Sequence, residues 1–337
     1  MSLNNYMSAK ELRVQNNICL LPCGDEAESK ISKWTAKDLK PYQYYVVNKK
    51  SIDTMFSGLI FYPITGRRKH YLYPMYSNIG LLAEKEDWEV ALKGLFLENY
   101  NFEAASTNTR KGNKTDIWVT LPYPTHTQTN FGKVNGKVLN FKVESNRFEA
   151  MQWWILEFIK KWRKAEHIHD KLSFKGFVWP RASIDKGDES LVKRVTNFIR
   201  KNGFLSLWLQ QYGSAGCVDW KKFGFSAACT HPNYYGGKGP GVNWITNTAA
   251  FAKYYHTGMQ IIYGKGILFK ENHLLDYLNY GVSKNYMKDS LLVYQFPKQT
   301  MRKINEESPD DYAKLYSFIK KEYKPIYPTA AFPLKKS

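Results

Sequence analysis

The sequence predicts a single (β/α)8 barrel of the TIM type. Three observations carry that expectation. Eight short runs rich in β-branched and aromatic residues recur along the 337 residues. Most are followed by a longer stretch whose apolar residues return at three- and four-residue steps, the alternation of parallel strands joined by helices. No internal repeat, low-complexity linker or shift in composition divides the chain, and barrels of this kind reach such a length as one unit. The organisation read from this is a flexible N-terminus over 1–14, a barrel over 15–325 and a C-terminal tail over 326–337.

The strands are expected at 18–23, 58–64, 116–122, 174–179, 205–210, 227–232, 260–263 and 290–296. Helices are expected at 88–107, 147–166, 189–201, 244–255, 272–281 and 309–323. In the second of these, Phe148, Met151, Trp154, Ile155 and Phe158 make one apolar stripe between Lys and Glu residues, as a helix packed on a sheet requires. Asp188 reads as the cap before Glu189, and Ser308-Pro309 with Asp310 and Asp311 opens the last helix. Gly203 ends the helix before the fifth strand. The pattern is least regular before Asp116, where Arg67, Arg68 and Lys69 precede a Tyr-rich stretch from Tyr71 to Tyr76 that reads as a long loop.

With 43% hydrophobic and 16% aromatic residues, the chain can build a sizeable core and still line a groove, so an ordered chain is expected apart from its ends. The net charge of +19 suits nucleic acid, anionic glycans or acidic cell-wall polymers. The basic residues are scattered and form no block, so coding bias toward Lys explains the charge equally well. Cys19, Cys23, Cys217 and Cys229 have neither zinc-site spacing nor the density of a disulfide scaffold, and read as free buried thiols. His167-Ile168-His169-Asp170 lies between a helix and a strand, opposite the expected working face, and reads as surface histidines. The glycine run from Gly236 to Gly241 lacks phosphate-loop spacing and reads as a flexible rim loop. No metal site and no cofactor is expected. The stretch from Met1 to Lys10 is polar, without the apolar run of about 7–15 residues of a secretory leader. No stretch is long enough for a membrane span. The expectation is a cytoplasmic or particle-associated chain, or one whose leader has been removed.

In such a barrel the C-terminal ends of the strands and the loops after them form the working face. The third strand leads into Tyr123, His126, Gln128 and Asn130, the fourth into Trp179-Pro180-Arg181. The fifth leads into Gln210, Gln211 and Tyr212, and the sixth into His231, Asn233, Tyr234 and Tyr235. The seventh brings Gln260, Tyr263 and Lys265, and the eighth brings Tyr294, Gln295 and Lys298. Aromatic rings beside amide, imidazole and guanidinium groups suit a sugar, whose C–H faces stack while its hydroxyls bond to the amides.

Six segments carry a family resemblance: LPYPTHTQTNFGKVNGKVLNF from Leu121, GFVW from Gly176, LWLQQYGSAG from Leu207, WKKFGFSAACTHPNYY from Trp220, KYYHTGMQI from Lys253 and YLNYGVSKNYM from Tyr277. With them the chain resembles DUF4855, a bacterial family of unassigned function whose members look like glycoside-hydrolase barrels. The similarity is clear over about 121–294 and weaker before. The resemblance implies an acidic residue after the fourth-strand Trp and others on the sixth and seventh strands. Here those places read Trp179-Pro180-Arg181, Gly224-Phe225-Ser226 and Gln260-Ile261-Ile262. Glycoside hydrolysis needs two carboxyl groups flanking the bond, and only Asp25, Glu26 and Asp185 stand near the expected face. The expectation is a carbohydrate-binding barrel, degenerate in catalysis, with a polysaccharide partner that includes anionic ones. The alternatives are an active glycoside hydrolase, an assembly protein of a phage or mobile element, and a basic nucleic-acid binder.

Overall fold

Eight strands form where the apolar runs place them: β1 (Ile18–Cys23), β2 (Gly58–Pro63), β3 (Thr115–Thr120), β4 (Leu172–Trp179), β5 (Leu205–Gln211), β6 (Ala227–His231), β7 (Gly258–Ile262) and β8 (Leu292–Gln295). In this computed structural model, which describes residues 5–24, 31–73, 80–237 and 240–327, every strand is parallel to the next. The sheet closes where Ile18 of β1 pairs with Gly58 of β2 on one side and with Val293 of β8 on the other. Helices cover the outside and side chains fill the inside, so both faces of each strand are buried. That is why the strands read as almost continuous apolar runs.

The helices longer than one turn are α1 (Ala36–Gln43), α2 (Lys85–Leu95), α3 (Asn101–Asn108), α4 (Glu144–Lys164), α5 (Lys186–Lys201), α6 (Asn243–Tyr255), α7 (His273–Ser283), α8 (Met301–Glu307) and α9 (Pro309–Ile319). The helix expected over 88–107 is two. Its corner carries Asn99 and Asn101 in the left-handed region, and Asn101 ties both sides by donating to Gly94 O at 2.7 Å and accepting from Trp34 N at 3.0 Å. Helix α1 was hidden by its internal Pro41, although Thr35 and Asp38 form a capping box that marks its start. Helix α5 begins one turn earlier than expected. Asp188 is therefore no cap; it lies in the first turn with a buried side chain.

Of the flexible arm expected over 1–14, residues 5–14 are docked on the barrel; residues 1–4 lie outside the described residues. Tyr6 and Met7 are buried, Met7 N donates to Thr257 O at 3.2 Å, and Leu291 N donates to Met7 O at 2.7 Å. Ser8 and Glu11 form a capping box on a one-turn helix, and Glu11 meets His256 at 2.8 Å. Apolar side chains at 6 and 7 cover the strand starts, which are the exposed bottom of the barrel.

Most of the aromatic wealth is spent between sheet and helices. Phe102, Phe158, Trp162, Phe174 and Phe177 form one packed cluster with ring centroids 4.6 to 6.4 Å apart. The four cysteines are free and buried. His167 pairs with Glu103 at 2.9 Å on the surface, and His169 stacks on Trp162 at 5.0 Å. Among the described residues, no helix is long and apolar enough to cross a membrane.

Candidate functional site

The C-terminal mouth of the barrel holds a cavity of about 650 Å³ to which every strand contributes. Leu20 and Pro22 come from β1, Tyr62 from β2, Thr120 from β3, Val178 and Trp179 from β4 and Leu209 and Gln211 from β5; His231 comes from β6, Gln260 and Ile262 from β7 and Gln295 from β8. The rim is built by Tyr235 after β6, Lys265 to Phe269 after β7 and Phe296 to Lys298 after β8. On β1, β5 and β7 the lining residues stand two apart, because inward residues recur every second position; at the end of β4, Val178 and Trp179 both reach the cavity.

His231 is buried, and burial pulls its pKa down to about 4. Its Nδ1 accepts the Asn233 N–H at 2.7 Å, which the left-handed φ of 57° at Asn233 turns back toward the ring. The imidazole is neutral near pH 7 with its proton on Nε2, a donor toward the cavity. On the floor Gln260 Nε2 donates to Gln210 O at 3.0 Å and to Cys229 O at 2.5 Å, and Gln295 Nε2 donates to Gln260 Oε1 at 2.6 Å. Lys265 is ion-paired with Glu307, and Lys298 is exposed on the rim. No carboxylate is among the described residues that line the cavity.

The sequence matches the family described as Domain of unknown function (DUF4855) over residues 17–321. The chain belongs to that family. No curated protein matches it. Among solved structures it is similar to three variants of the tryptophan synthase alpha-subunit from the hyperthermophile Pyrococcus furiosus, at 11%, 13% and 10% identity with TM-scores of 0.42, 0.41 and 0.41. Each match covers 91% of this chain and 97% of that chain. Likeness at this level says nothing about chemistry.

Of the residues that the sequence marks for the site of this DUF4855 barrel, Trp179, Pro180, Gln211, His231, Tyr235, Gln260 and Gln295 meet in the cavity, with Lys265 and Lys298 on its rim. The others are turned elsewhere. Tyr123 and Arg181 belong to a buried cluster around Asp188, whose carboxylate accepts from Tyr123 OH at 2.8 Å, Arg147 at 2.7 Å and Arg181 at 2.9 Å. Asp185 is exposed and paired with Arg181 at 3.0 Å; Asp25 and Glu26 lie outside the described residues. Gln210 is fully buried and donates to Thr230 Oγ1 at 2.9 Å. Tyr263 donates to Asp311 at 2.6 Å, Tyr234 donates to Asp276, and Tyr294 donates to Asn17 Oδ1 at 2.9 Å, below the start of β1. Gln128 ties its own loop to Ala83 O at 3.1 Å, while His126 and Asn130 are exposed. Tyr212 packs against Trp244 and Phe251 on the outside, and Asn233 buttresses His231 and donates to Tyr212 O at 3.2 Å.

In three marked pairs of neighbours only the second residue faces in. Gln211, Tyr235 and Gln295 line the cavity, whereas Gln210, Tyr234 and Tyr294, marked beside them, do not. Tyr62 and Thr120 also line it, and no loop motif announces them. In the glycine run, Lys238 and Gly239 lie outside the described residues.

Proposed function

We propose that this DUF4855 barrel is a carbohydrate-binding protein of glycoside-hydrolase shape that holds a segment of polysaccharide in its mouth without cutting it. The observation that carries this reading is the chemistry of the cavity wall. Trp179, Tyr62, Tyr235 and Phe269 stand beside Gln211, Gln260, Gln295 and a neutral His231. Aromatic faces with a few fixed amides are what a pyranose ring uses, and a volume of about 650 Å³ has room for a short oligosaccharide. Retaining and inverting hydrolysis both need a carboxyl pair across the bond, and the described lining offers none.

The test is a binding screen over polysaccharides, run with product analysis at low and at physiological salt. Binding that survives salt and releases no oligosaccharide is the expected result. Gln211→Ala and Tyr235→Ala, both at exposed or half-buried positions, should each weaken binding about tenfold, the loss of one polar or stacking contact of 1–1.5 kcal/mol. Trp179→Ala is a poorer probe: Trp179 is 3% exposed and packs edge-on against Tyr123, so its removal costs about 3–5 kcal/mol of stability. Tyr234→Ala would break a buried contact to Asp276 and say nothing of the groove. Released oligosaccharide would overturn the non-cutting reading, and binding lost between low and moderate salt would point to a polyanion.

A further inference from the structure

This inference rests on the carbohydrate reading of the same cavity and says which sugars it takes. The floor has a fixed hydrogen-bonding polarity, set by the backbone. Two carbonyl oxygens, of Gln210 and Cys229, can only accept, so the Gln260 amide must turn its NH2 toward them. Its Oε1 then faces Gln295 and draws in the NH2 of that side chain at 2.6 Å. Gln295 is left presenting its Oε1, an acceptor, to the cavity. Across the floor the Asn233 N–H occupies His231 Nδ1, which leaves Nε2–H as a donor.

We infer that the floor selects an uncharged, hydroxyl-bearing sugar residue that donates to Gln295 and accepts from His231, with Gln260 as the positioning residue that sets this selection. Hydroxyl groups give and take hydrogen bonds, so they satisfy both walls. A carboxylate, sulfate or phosphate only accepts. At Gln295 it would meet another acceptor, and it would lose its water with no cation on the floor to replace it: of the two rim lysines, Lys265 is engaged by Glu307 and Lys298 is exposed to solvent above the floor. The +19 charge of the chain therefore does not extend to this floor. Selectivity comes as much from this mismatch as from the attractive contacts.

The experiment is calorimetric titration with neutral hexasaccharides of glucose and of mannose, and with uronate oligosaccharides of the same length, at physiological salt. The wild-type chain should bind a neutral series at least tenfold more tightly than the uronates. Gln260→Met keeps the volume but frees the Gln295 amide to flip, and should bring that ratio toward one. Gln295→Leu removes the acceptor at a half-buried position and should do the same if the first variant fails to fold. A general loss of stability would lower both affinities together and leave the ratio unmoved. Uronates bound as tightly as neutral sugars, or a ratio unchanged in the variants, would overturn this inference while carbohydrate binding stands. No binding of any sugar would overturn both.

Discussion

His231 shows how one backbone contact decides the chemistry of a side chain. The unfolded chain takes up its proton near 6.5 and the folded chain only near 4, because burial disfavours the charged ring. Between those values the unfolded state binds more protons, so stability is full above 6.5 and is lost as pH falls toward 4. Burial lowers the pKa of His273 as well, and it adds to the loss in the same direction. His231→Gln should reduce the acid loss of unfolding free energy between pH 7 and 4 by up to about 3 kcal/mol. Denaturant titrations at the two pH values measure this, and an unchanged loss would mean that the ring charges in the folded protein.

At the scale of elements, β4 depends on a residue without a side chain. The pairing of β3 with β4 shifts register between Phe174 and Gly176, and a Cβ on Gly176 would sit 1.9 Å from Leu205 O on β5. The obstacle is backbone, so no rotamer relieves it. Gly176→Ala should cost about 3 kcal/mol or more, the upper end of overpacking, seen as a lower melting temperature. A variant that melts with the wild type would show that β4 and β5 can part without loss. The start of α5 is a second lesson at this scale. Asp188 reads as a cap because Glu189 and Leu191 follow it, yet the helix starts at Lys186 and Asp188 is drawn inward by Arg147 and Arg181. Arg181 stands seven residues before Asp188 in the loop after β4, but Arg147 comes from α4, 41 residues away.

For the whole molecule, barrel closure recruits the N-terminal segment. Met7 bridges the approach to β7 at Thr257 and the approach to β8 at Leu291, while Tyr6 donates to Lys284 O at 2.9 Å. A chain starting at Gln15 loses the burial of Tyr6 and Met7, roughly 3–6 kcal/mol at 1.5–3 kcal/mol for each large apolar side chain. Its unfolding midpoint in urea should drop accordingly, and an unchanged midpoint would show that these contacts add nothing to stability. The polar composition of this stretch hid the docking, because a few buried apolar side chains and hydrogen bonds suffice to hold so short a segment.

The sequence by itself determined the barrel. All eight strands stand within two or three residues of the expected bounds, because turn residues and amphipathic helices punctuate a parallel sheet wherever it lies. It also marked Trp179, His231 and Gln260 at strand ends. Only the tertiary structure decided which neighbour of each pair faces in: Gln211 and not Gln210, Tyr235 and not Tyr234, Gln295 and not Tyr294. A strand with one wet face announces its parity by alternating polar and apolar residues, whereas strands buried on both faces carry no such alternation to read. The partners that hold Asp188, Gln260 and His231 come from other elements or from the backbone, and their meeting is a property of the closed barrel.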